Sequence, residues 1–117
     1  MTGPGTTIDP LHTWREIIAL LLDAADRGYE QASRDPAIHS VALHAGFVAS
    51  SAIALLPPEL DHELDDIELE PATASLSVAG LIRAAEQAAR RHPIEQFPPG
   101  ASGVIVELCE LASEAGA

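Results

Sequence analysis

Apolar residues recur at three- and four-residue spacing in four stretches of this chain, and alternating β-branched runs are absent. In the first stretch Leu11, Trp14, Ile18, Leu21, Leu22 and Ala25 recur at helical spacing, while Arg15, Glu16, Asp23, Asp26 and Arg27 take the other faces. Asp9-Pro10 supplies the start. An Asp side chain can accept from the first free N–H groups, and Pro lacks the N–H that the first turn would leave orphaned. The spacing predicts a helix from there to about Ser33. Gly28 is a candidate stop, but Tyr29 and Ala32 carry the pattern past it.

Asp35-Pro36 repeats the start signal, and the second helix is expected from Pro36 to about Leu56, where Pro57-Pro58 ends it. Ala42, Ala45, Gly46 and Ala49 are three or four positions apart on it and form a small-residue interface candidate, inside the bundle or across a dimer. The third helix is expected over about Thr73 to Arg91, with Val78, Leu81, Ile82, Ala85, Ala88 and Ala89 as its stripe. Arg90, Arg91 and His92 complement the dipole at its end, and Pro93 blocks continuation. Ile94 and Phe97 are expected to fold back over the bundle end. Ser102 is read as the cap of a fourth helix that buries Val104, Ile105, Leu108, Leu111 and Ala112 and turns Glu107, Glu110 and Glu114 outward.

These segments predict an all-α fold, a four-helix bundle or close relative. The short connections one-to-two and three-to-four imply two antiparallel helical hairpins. Residues 1–8 read as a flexible N-terminus. Residues 9–117 read as one helical domain with an acidic connection at about 57–72. Seven carboxylates fall between Glu59 and Glu70, and their mutual repulsion predicts a mobile segment unless a cation or basic partner covers it.

Composition narrows the chemistry. Aromatics are 3% of the 117 residues, so Leu, Ile, Val and many Ala must build the core. With no Lys in the chain, a Walker-type phosphate loop, a Schiff-base enzyme and a Lys general base are excluded. The absence of both Lys and Asn, whose codons are AT-rich, suggests a GC-rich bacterial genome. A net charge of −12 disfavours nucleic acid, whose binding begins with cationic neutralisation of phosphates. It also keeps a small protein soluble and leaves a basic protein as one partner option. Cys109 is the single cysteine, which fits a reducing cytoplasm, and the N-terminus has no secretory pattern. No Asp, Glu, Lys or Arg occurs from Pro36 through Pro58, long enough to cross a bilayer. His39, His44 and three Ser interrupt that run, and its flanks lack a basic cluster, so a bundle helix buried nearly all round is the expectation and a membrane span is not.

Arg34-Asp35-Pro36-Ala37-Ile38-His39 resembles the core motif of the HEPN ribonucleases, an Arg, a polar residue, three spacers and a His. The resemblance covers six residues and would imply Arg34 and His39 cooperating at a phosphodiester. It sits between the first two helices, whereas that family carries the motif near a later helix. Asp35-Pro36 already has a sufficient role as a helix start.

His39 and His44 are five apart rather than the four of a helical metal pair. They stand, with Arg34, as ligand candidates and not as a metal site. Asp61, Glu63 and Asp65 are spaced like the first ligands of an EF-hand, but the loop's sixth position is Asp66 instead of Gly and its twelfth is Ala72 instead of Glu. No metal site is predicted, and no cofactor is identifiable. No catalytic constellation assembles from local spacing. The functional expectation is therefore a non-enzymatic, cytoplasmic protein-interaction module, a homodimer or a subunit binding another bacterial protein. The alternative is a small-molecule- or metal-binding bundle, an enzyme among the options, in which His12, His39, His44 or His92 converge with carboxylates.

Overall fold

The computed structural model describes residues 9–57, 69 and 71–116, with the side chains of 71 and 72 left aside. The N-terminal residues 1–8 and nearly all of the acidic connection, including its expected mobility, lie outside the described residues. Within them the fold is all-helical: α1 (Pro10–Gln31), α2 (Pro36–Ala54), α3 (Val78–Ala89) and α4 (Ala101–Ala115), with 3-10 turns at Pro71–Ser75 and Ile94–Gln96.

Both Asp-Pro starts work as capping chemistry requires. The Asp9 carboxylate accepts from the Leu11 N–H at 3.0 Å, and Asp35 accepts from the Ala37 N–H at 3.1 Å. Helix ends differ from the sequence expectation by two residues in α1 and α2. The larger correction is at the third helix. Thr73–Ser75 belongs to the 3-10 turn, and α3 begins only at Val78 because the Ser77 hydroxyl accepts from the Gly80 N–H at 3.0 Å. A side-chain cap there outcompetes a continuous helix through Ser75. The fourth helix is also entered differently. Gly100, at φ 93°, precedes Ala101, and Ser102 is exposed. Glycine is favoured at this corner, because the left-handed backbone disfavours a side chain and a Cβ would stand 3.1 Å from Leu55 Cδ2.

The core is aliphatic and small. Trp14, Ile17, Ile18 and Leu21 of α1 meet Leu81 and Ile82 of α3, Val48 of α2, and Leu108 and Leu111 of α4, all fully buried or nearly so. Phe97 folds over one end as expected, its ring 5.2 Å from Trp14, while Ile94 stays exposed because its 3-10 turn points it outward. Leu22 lies on the outer side of α1, and Ile105 is only partly buried.

The principal packing pairs are α1–α2, α1–α3, α3–α4 and α2–α4. Among the described residues α2 therefore has principal packing partners on part of its circumference only, and just 33% of its most apolar window is buried. This corrects the expectation of a helix buried nearly all round. α1 approaches α2 at Gly28, where an added Cβ would stand 2.6 Å from Ala42 Cβ.

Candidate functional site

α2 packs in an unusual sense. Its buried face is made of Val41, Ala42, Ala45, Val48, Ala49 and Ala52, while Leu43 and Phe47 are 44% and 62% exposed; Ile38 and Ile53, as large as Leu43, are half-buried. Burying a large apolar side chain is worth about 1.5–3 kcal/mol, so a helix in contact with water alone would be expected to turn Phe rather than Ala inward. Of the interface candidates, Ala42, Ala45 and Ala49 lie fully inside this chain. Gly46 lies beside them but off that face: a Cβ built there meets nothing within 4 Å. Leu43, Gly46, Phe47 and Ser50 form the four-cornered hollow that residues i, i+3, i+4 and i+7 enclose on any helix surface.

No Asp, Glu, Lys or Arg occurs anywhere on α2. α3 differs: it exposes Arg83, Gln87 and Arg90, with Arg90 reaching Glu86 at 3.5 Å. Exposed large apolar side chains on the helices are Leu22 and Tyr29 on α1, Leu43 and Phe47 on α2, and Val106 on α4. The outer apolar surface thus centres on α2 and the two helices it packs against. Tyr29 meets α2 directly, its ring 5.7 Å from that of His39 in an edge-on arrangement.

The ligand candidates are placed apart. Arg34 is exposed in the turn between α1 and α2, and His39 is exposed against Tyr29. His44 instead joins α4: its Nδ1 lies 2.8 Å from Glu114 Oε1, and the Ser40 hydroxyl donates to Glu114 Oε2 at 3.0 Å. His12 is exposed, and His92 shares a 3.0 Å hydrogen bond with the buried Thr13 hydroxyl. Among the described residues no group of three or more His, Cys, Asp or Glu could hold a metal ion. The Ser40–His44–Glu114 cluster links positions 70 and more apart, beyond what local spacing can reveal.

The Glu114 carboxyl is held below its ordinary 4.5, first by the hydrogen bond with His44, then by that from Ser40, with the charge of His44 adding to both and slight burial opposing them. A depressed carboxylate contributes stability that is present above the unfolded-state value and lost as pH falls through the folded-state value. The pair is about a third exposed, so screening keeps the contribution under about 1 kcal/mol. Urea melts taken from neutral pH down through the carboxylate range are expected to show a shallower acid loss in Glu114→Gln than in the wild type. Parallel curves would show that the Glu114 contacts with Ser40 and His44 contribute nothing to stability.

Two recesses lie on the surface of the described residues. One of about 220 Å³ lies between α1 and α3, with Leu20, Leu76 and Ala84 below and Glu16, Gln87 and Arg91 at its polar side. Glu16 and Arg91 pair there at 3.0 Å. The other, about 180 Å³, is lined by Ile38, Val41, Val78 and Ala115 with Gln31 and Ser77. No family model, curated protein or solved structure matches this chain.

Proposed function

We propose that this chain is a non-enzymatic helical interaction module whose working surface is the outer face of α2. The observation that carries the reading is the packing of that helix, with Ala and Val inside, Leu43 and Phe47 outside, and no Asp, Glu, Lys or Arg along its length in a chain of net charge −12. Contiguous exposed apolar surface on an otherwise strongly charged protein marks a contact site. The four helices are read as a bundle of two antiparallel hairpins. Trp14 near the start of α1 donates to the Ala52 carbonyl near the end of α2, and Glu114 at the end of α4 reaches Ser40 in the first turns of α2. In such a bundle α2 and α3 occupy opposite corners, which sets an apolar side against a charged one. The single exposed thiol, Cys109, is compatible with a reducing cytoplasm.

A benzophenone side chain in place of Phe47 tests this in living cells. It is expected to give a discrete covalent adduct, identified by mass, while the same group in place of Arg83 on α3 gives none. Adducts at neither position, or equally at both, would remove the proposal.

The recess beside Glu16 and Arg91 favours a second reading, a pocket for a small amphiphile with its polar end at the ion pair and its tail on Leu20 and Leu76. Arg91→Ala should then abolish any ligand-induced thermal shift in a screen of carboxylate amphiphiles. A shift that survives the substitution would reject that pocket.

A further inference from the structure

We infer that the partner on the α2 face is a second copy of this chain, seated about a twofold axis with Phe47 of each copy entering the other's Leu43–Gly46–Phe47–Ser50 hollow. The inference rests on the reading of α2 as the working surface. Shape comes first. The open space above Gly46 gives the hollow a backbone floor, and Phe47, 62% exposed, is a knob of the size such a floor admits. Knob and hollow lie on the same helix, so one surface complements itself, as a twofold interface requires.

Charge points the same way. Two chains of −12 repel one another over most orientations, and α2, the helix with no Asp, Glu, Lys or Arg, is where they meet at least cost. The same charge disfavours a lipid surface. Interfacial helices carry Lys or Arg on their polar face and anionic headgroups attract cations, whereas this chain has no Lys, and none of its six Arg is on α2.

Area sets the extent. At 1.5 Å per residue the 19 residues of α2 are about 28 Å long, and a strip one helix wide covers roughly 300 Å². A stable interface takes about 800 Å² from each partner. A face three helices wide approaches that value, so the flanks must take part. Exposed apolar groups on the two flanking helices are Leu22 and Tyr29, seven apart on one side of α1, and Val106 on α4.

Light scattering on the purified full chain over a dilution series is expected to give twice the mass of the 12.3 kDa chain at the concentrated end. Phe47→Glu and Gly46→Leu should each weaken self-association on the order of tenfold or more, with circular dichroism unchanged, because Phe47 is exposed and the Gly46 position is open. Arg83→Glu on α3 should leave the dimer intact. A wild type that stays at 12.3 kDa throughout, or a dimer that survives either α2 substitution, would overturn the inference. So would co-sedimentation of monomeric wild type with phosphatidylglycerol vesicles that Phe47→Glu abolishes. A monomeric wild type that still gives a discrete adduct to another protein at position 47 in cells would sink the second copy and leave the interaction surface standing. Absence of any adduct would sink both.

Discussion

Gly28→Val should lower the melting temperature by roughly 5–20 °C, from an overpacking cost of about 1–3 kcal/mol and a shift of ~4–8 °C per kcal/mol for a chain near this size. The cause is the crossing of α1 and α2. A Cβ at Gly28 would stand 2.6 Å from Ala42 Cβ, 3.3 Å from Ala42 Cα and 3.5 Å from Ile38 Cγ2. The nearest two atoms belong to a methyl fixed to the backbone and to the backbone itself, so no rotamer change can relieve the contact. The helices must separate, and α1–α2 is one of the pairs that hold the core together. Gly28→Ala sets the clash against a gain of about 1 kcal/mol in helix propensity, so its loss should be smaller. Removing the opposing methyl is the decisive control. Gly28→Ala with Ala42→Gly should recover much of the loss of Gly28→Ala, which a double-mutant cycle of thermal melts measures. Wild-type melting in Gly28→Val would show that α1 and α2 do not approach so closely.

The contrast between Gly28 and Gly46 shows where sequence reading ends. Both sit within apolar helical patterns, and period alone cannot tell a glycine that admits a neighbouring helix from one that leaves a hollow. The four helical segments were legible because Asp9-Pro10, Asp35-Pro36 and Pro57-Pro58 punctuate the chain with capping and blocking chemistry that acts locally. The start of α3 lies beyond Thr73 because the bond from Gly80 N–H to the Ser77 hydroxyl fixes it, and hydrophobic period alone does not mark such a cap. The start of α4 differs for a related reason: Ser102 has the preferred capping side chain, but the left-handed turn at Gly100 beside Leu55 is a tertiary constraint.

At the candidate site, the absence of charge on α2 was visible, and burial was its simplest explanation. The structure removes that explanation, because only a third of the helix's most apolar window is buried and its packed neighbours among the described residues lie on part of its circumference. Helical spacing already put Leu43, Phe47 and Ser50 together, three and four residues apart. What it lacked was a reason to prefer the alanine side as the inner one. That reason is the close approach at Gly28, which a larger side chain at Ala42 would prevent.

Trp14→Ala should be the most damaging single change, with a loss of about 3–5 kcal/mol in urea-unfolding free energy. Trp14 is fully buried where α1, α2 and the segment before α4 converge. Its ring lies 5.2 Å from Phe97 at a 44° tilt, and its indole N–H donates to the Ala52 carbonyl at 3.0 Å. In a core with so few aromatics, no nearby side chain can swing in to fill the space. Domains of this size are stable by about 5–15 kcal/mol, and small alanine contacts place this one toward the low end, so the variant should be largely unfolded at moderate urea. Trp14→Phe separates the contributions. The Ala52 carbonyl keeps the Leu55 N–H at 3.2 Å, so losing the indole donor leaves no buried acceptor orphaned, and the cost falls to lost volume and a weaker ring contact. A cycle of Trp14→Leu with Phe97→Leu should return a coupling of about 0.5–1.5 kcal/mol from the ring pair. Trp14 is also the sole tryptophan, so its fluorescence in the wild type reports the same site: emission should shift to the red in a single step that coincides with loss of helicity. If Trp14→Ala unfolds with the wild-type midpoint, the ring does not anchor this end of the core, and the packing described for Phe97 and Ala52 is wrong.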